Sequence, residues 1–101
     1  MSESKKLRKE EVELEMKELP LWRMEGGSIM RVFDFPDFKN ALNFVNKIGD
    51  LAEKSNHHPD IKLSWGRAEV RISTHSAGGI TSKDFKLAEE VDALPEYQKK
   101  D

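Results

Sequence analysis

Apolar and polar residues alternate along this chain with two distinct periods, and the switches between them outline the elements. From Lys5 to Leu19 the residues are almost all Lys, Arg, Glu and aliphatic, good helix formers. Val12, Met16 and Leu19 fall on one face at i, i+4, i+7, so the pattern predicts an amphipathic helix that Pro20 ends. Leu21–Glu25 and Ile29–Phe35 read as strands, joined by a turn at Gly26-Gly27-Ser28. Pro36-Asp37 opens a second helix, with Asp37 as cap or first-turn acid. Phe38, Ala41, Leu42, Val45, Ile48, Leu51 and Ala52 recur along it at helical spacing and predict its core face. The helix should end near Ser55-Asn56, because Pro59 forbids continuation. Ile61, Leu63 and Trp65 alternate as a half-buried strand, Gly66-Arg67 turns the chain, and Val70 and Ile72 alternate as a fourth strand. Thr81-Ser82-Lys83-Asp84 has the form of a capping box. It opens a last helix carrying Phe85, Ala88, Val91 and Leu94 inward and stopped by Pro95, with residues 96–101 expected as a frayed tail.

The order helix, hairpin, helix, hairpin, helix predicts an α+β fold, a two-layer domain with helices packed on one face of a four-stranded antiparallel sheet. With 101 residues and no linker-like segment, residues 1–101 are expected to form a single domain. Leu21-Trp22 lies at the entry to the first strand, where Trp22 serves either as core or as pocket wall.

Composition narrows the functional classes. The chain is 36% charged, yet its net charge is only −2, without the basic stripe of a direct nucleic-acid binder. The absence of cysteine excludes disulfides, thiol catalysis and zinc–thiolate sites. No apolar run approaches the roughly 20 residues that span a membrane, and the first residues lack the apolar segment of a secretory signal. The expected location is cytoplasmic.

All three histidines fall between Glu53 and Asp84. His57 and His58 follow the long helix, and His75 follows the fourth strand. Folding strands three and four back at Gly66-Arg67 sets position 59 roughly opposite 74, which brings His75 beside the pair at one end of the sheet. Histidines so placed serve either local hydrogen bonding or acid–base catalysis. Adjacent histidines do not readily converge on one ion and no His-x-x-x-His pair is present, so no metal is expected. A Ser–His–acid hydrolase would need a nucleophile elbow, and no Gly-x-Ser-x-Gly occurs. Thr74-His75-Ser76-Ala77-Gly78-Gly79 is a small, polar loop suited to close approach of a ligand, beside a helix N-terminus.

The spacing Glu53, three residues, His57-His58-Pro59, five residues, Trp65, nine residues, His75, eight residues, Asp84 resembles the signature of the pterin-4a-carbinolamine dehydratases. Trp22 after a Leu-Pro, the Glu25-Gly26-Gly27 turn and the Asp37-Phe38 helix start are similar to that family as well, so the resemblance covers about residues 10 to 94. It implies 4a-hydroxytetrahydrobiopterin dehydratase activity, a hydro-lyase reaction converting 4a-hydroxytetrahydropterin to quinonoid dihydropterin in pterin cofactor recycling, with no metal or organic cofactor. On the matching positions it implies that His57 and His75 are an acid–base pair and that His58 orients substrate with possible proton-transfer duty. Glu53 and Asp84 orient histidines or accept from the pterin edge, and Thr74 and Trp22 contribute to substrate binding. Some members of the family act as dimerisation cofactors of a transcription factor or have relatives linked to assembly of carbon-fixing enzymes, so a non-enzymatic binding role is the alternative. The long charged N-terminal helix departs from the family pattern and bears on assembly.

The resemblance also implies a homodimer whose sheets join edge to edge, which in some members pairs further into a tetramer through helices. The apolar content of the second strand, with Ile29, Val32, Phe33 and Phe35, suggests in the same sense a sheet edge that needs covering.

Overall fold

The commitments of the first residues to a neighbouring loop decide where the first helix can start. In the computed structural model, which describes residues 5–97, Leu7 N–H donates to the carbonyl of Ile80 at 2.7 Å. The chain therefore enters extended, and α1 spans Lys9–Met16, shorter than the expected helix at both ends. Glu11 accepts from Arg8 N–H at 2.8 Å and closes its start. Val12 is buried while Leu14 lies exposed.

Strands β1 (Arg23–Glu25) and β2 (Ser28–Asp34) are joined through Gly26 and Gly27, both at positive φ, as a tight hairpin turn of primed type demands. Ser28, expected in the turn, instead pairs with Glu25. The second helix, α2, spans Phe38–Ser55 and is capped by Asp37, whose Oδ1 accepts from Asn40 N–H at 2.9 Å. Its core face differs from the expected one. Ala41, Phe44, Ile48 and Ala52 are buried, whereas Phe38 and Leu42 remain 43% and 37% exposed. Apolar residues occupy more than one side of this helix, and Phe44, the ring that meets Phe33 at 4.7 Å, sets which side faces the sheet.

Strands β3 (Asp60–Ser64) and β4 (Arg67–Ile72) turn through Trp65 and Gly66, so Arg67 begins the strand. Trp65, expected as a strand residue, is 68% exposed in the turn. Gly66 is required there, since a Cβ would stand 2.8 Å from the carbonyl oxygen of Phe35, whose N–H bonds back to Gly66. After a short 3-10 turn at His75–Ala77, α3 spans Ser82–Asp92.

The sheet order is β1-β2-β4-β3, antiparallel throughout, which is the expected α+β architecture. One sheet expectation fails. Strand β2 pairs with both β1 and β4, so its apolar residues lie in the interior of the sheet, and the edges are β1 and β3. Ile29 and Phe33 of β2 and Ala68, Val70 and Ile72 of β4 form the sheet side of the core. Phe44 and Ile48 of α2, Phe85, Ala88 and Val91 of α3, and Val12 of α1 close it.

Trp22 belongs to this core. It is 4% exposed, meets Phe33 edge-on at 6.2 Å, and its indole N–H donates to Asp92 at 2.9 Å. Asp92 also accepts from the largely buried Arg31 at 2.7 Å, and the Arg31 guanidinium lies 4.3 Å from the centre of the Phe33 ring. Tyr97 packs edge-on against Phe33 and Phe35 at 5.0 and 5.2 Å, so the chain after Pro95 remains anchored as far as Tyr97. The rest of the expected frayed tail, residues 98–101, lies outside the described residues. No helix among the described residues is long and apolar enough to cross a membrane.

Candidate active site

The long helix ends in a way that delivers two histidines to one place. Asn56 takes the left-handed conformation at φ 54°, a position asparagine tolerates, and His57 N–H bonds back to the carbonyl of Ala52 at 3.1 Å. The chain then leaves the helix axis with His57 half-buried and His58 exposed. Glu53, one turn earlier, sits beneath His58, with Oε2 2.5 Å from its Nε2. Both of these side chains are open to solvent.

Asp84 is the buried centre. The capping box forms as read from the sequence, with Oδ2 accepting from Thr81 N–H at 2.8 Å. The same oxygen accepts from the Thr74 hydroxyl at 2.8 Å, and Oδ1 lies 2.6 Å from Nε2 of His57. Asp84 is fully buried, and three hydrogen bonds occupy its two oxygens. Such a carboxylate orients its neighbours; it does not present a free edge to a ligand. Thr74 is likewise buried, its hydroxyl divided between Asp84 and the hydroxyl of Thr81.

His75 follows Thr74 directly. The loop bearing it is tied at its base by the bridge between Thr74 and Gly79, where Thr74 N–H donates to Gly79 at 2.9 Å. A short 3-10 turn then projects the exposed His75 from that base. Asp84 therefore links His57 through one oxygen to the base of the His75 loop through the other. The β3–β4 register runs in the same sense. Asp60 faces Arg71, and three further residues would set 57 against 74, a two-residue offset from the sequence expectation caused by the turn at Trp65-Gly66.

A cavity of about 220 Å³ adjoins His57, lined also by Ser55, Lys83, Lys86 and Leu87. A larger groove of about 900 Å³ runs between the N-terminal segment and Gly78–Gly79, and no histidine lines it. The two lysines beside His57 carried no signal in the sequence, since Lys83 and Lys86 read only as helix surface. Trp22 does not join this constellation, since its ring is packed in the core and its N–H is held by Asp92. Among the described residues no group of three or more His, Asp or Glu is arranged to hold a metal ion.

Comparison with known proteins bears on the same segments. The family model for pterin 4 alpha carbinolamine dehydratase matches residues 5–94. The chain belongs to the pterin-4a-carbinolamine dehydratase family. Across 89 residues it is 46% identical to a Rubrobacter xylanophilus protein provisionally named as such a dehydratase, covering 87% of this chain and 83% of that one. A transcriptional coactivator/pterin dehydratase from Brucella melitensis superposes with a TM-score of 0.82 at 33% identity, over 87% of this chain and 96% of the other. A more distant structure, titled a pterin dehydratase-like RuBisCO assembly factor of the alpha-carboxysome, shares the dehydratase fold with a TM-score of 0.63 at 21% identity, over 76% and 92% of the two chains.

Proposed function

We propose that this member of the dehydratase family dehydrates 4a-hydroxytetrahydropterin to quinonoid dihydropterin in the cytoplasm by histidine acid–base catalysis. The C4a–O bond breaks as a proton reaches the leaving hydroxyl, water departs, and a proton is taken from N5. Both transfers suit imidazole, whose ordinary pKa lies near the working pH. His57 and His75 are the acid–base pair, and His58 orients the substrate with Glu53 behind it. Asp84 holds His57 and the base of the His75 loop.

The observation that carries this reading is the bonding of buried Asp84 to both His57 and Thr74. A buried carboxylate that braces a mostly buried imidazole is the arrangement by which enzymes fix the tautomer and aim of a proton-transferring histidine. A purely binding role would leave that arrangement without a use, although the Brucella melitensis protein is also named a transcriptional coactivator and the carboxysome protein a RuBisCO assembly factor.

Stopped-flow absorbance of 4a-carbinolamine decay tests the proposal. Decay should accelerate in proportion to added protein; a rate equal to that in buffer would favour the binding role.

A further inference from the structure

Thr81 reads in the sequence only as a helix cap, yet it is fully buried and its hydroxyl has a second neighbour. Its Oγ1 accepts from Lys83 N–H at 3.2 Å and lies 2.8 Å from the hydroxyl of Thr74. Counting protons fixes the direction of this chain. Thr74 has one hydroxyl proton, and Asp84 Oδ2, 2.8 Å away, receives it. Thr74 must then accept from Thr81, whose other contact is a backbone N–H that can only donate. Protons point one way, from Lys83 N–H through Thr81 and Thr74 to Asp84.

Oδ2 thus receives Thr74 O–H and Thr81 N–H, and Oδ1 is left to His57 Nε2 at 2.6 Å. With the carboxylate serving only as acceptor, His57 must carry its proton on Nε2. Nδ1 has no hydrogen-bond partner among the described residues, and no buried side-chain nitrogen or oxygen lacks one, so Nδ1 reaches solvent.

Building on the dehydratase reading above, we infer that Thr81 is a positioning residue. It anchors the hydroxyl chain that holds the Asp84 carboxylate in place, and that carboxylate keeps His57 as the Nε2–H tautomer, leaving Nδ1 as the atom that exchanges a proton with substrate. Its effect reaches the reaction through Thr74, Asp84 and His57 in turn. Serine could do the same work, whereas valine, of similar shape, could neither accept from Lys83 nor donate to Thr74.

The experiment pairs nitrogen-15 NMR of the histidine side chains with kinetics on the full chain. Wild-type His57, observed where the ring is neutral, should show the proton on Nε2 and the unprotonated signature on Nδ1. Thr81→Val should lower kcat about tenfold with KM within about twofold, and Thr81→Ser should recover most of the loss. In the valine variant His57 should keep its proton on Nε2, because Asp84 Oδ1 still accepts it, so the rate should fall through the aim of the ring and not through a change of tautomer. A wild-type ring protonated on Nδ1 would overturn the inference, and so would a folded Thr81→Val protein with wild-type kcat. If Thr81→Val does not fold, the wild-type tautomer and the Thr81→Ser rate decide the matter. A wild-type protein that fails to speed carbinolamine decay would remove the dehydratase reading, while the NMR result would still decide the proton placement.

Discussion

Asp84→Asn removes a charge and one acceptor without changing shape, which makes it an informative perturbation of this protein. The wild-type carboxylate is fully buried and takes part in three hydrogen bonds, at 2.6, 2.8 and 2.8 Å. An asparagine amide must turn its NH₂ towards one of those neighbours. Towards Oδ2 it would face the fixed N–H of Thr81, a donor against a donor. Turned towards His57 it can be accommodated, provided that the imidazole accepts on Nε2 and moves its proton to Nδ1. The second arrangement costs one charge-assisted bond, about 1.5–3 kcal/mol, or a fall in Tm on the order of 10 °C for a domain of this size. Catalysis suffers more, because the nitrogen that should exchange protons now carries one. A loss of about 10²–10⁴ in kcat/KM is expected, the range for removing general acid–base function. Thermal melts and stopped-flow carbinolamine decay on the same preparation separate the two effects. A stable Asp84→Asn protein within about threefold of wild-type activity would refute the reasoning.

Three further outcomes follow from other parts of the molecule. Asp92→Ala leaves the Trp22 N–H and the largely buried Arg31 without their shared acceptor, and urea unfolding should show a loss of about 2–4 kcal/mol, because an uncompensated buried cation is costly. Glu25 is held below its ordinary 4.5, first by a hydrogen bond from Arg71 and then by the charge of that guanidinium. A lowered acid contributes its stability above 4.5 and loses it as pH falls through the lowered value. The Tm of wild type should therefore drop more steeply below pH 4.5 than that of Glu25→Gln, and parallel profiles would refute the assignment. We also expect a homodimer at micromolar concentration, with a tetramer as its extension, since β1 and β3 leave edges to be covered. Light scattering at the monomer mass of 11.6 kDa would contradict this and leave the catalytic assignment standing.

The two hairpins, the capped helices and the meeting of the histidine segments were legible because each depends on neighbours in the chain. Gly26-Gly27 announces a turn, Thr81 and Asp84 announce a cap, and Asn56 and Pro59 announce a helix end. What resisted reading depends on partners far apart. Helix α2 has apolar residues on more than one side, and only the meeting of Phe44 with Phe33 selects the side that is buried. Strand β2 looked like an edge because nothing local says that β4 will pair with it. Asp84 was visible as a capping acid, but its other oxygen bonds a histidine 27 residues away. The bond from Trp22 to Asp92 crosses 70 residues, and no pattern in either segment hinted at it. Trp65 followed the alternation of its strand, yet the two-residue turn begins with it.

The central claim, that histidines at this end of the sheet carry out the dehydration, is tested most directly at His75. Its ring is exposed on a loop whose base is tied by Thr74 and Gly79, so truncation should spare the fold. The measurement is the carbinolamine dehydration rate of His75→Ala beside wild type, with circular dichroism and Tm matched. The account predicts a fall of about 10² or more. Wild-type turnover by a correctly folded His75→Ala protein would contradict it.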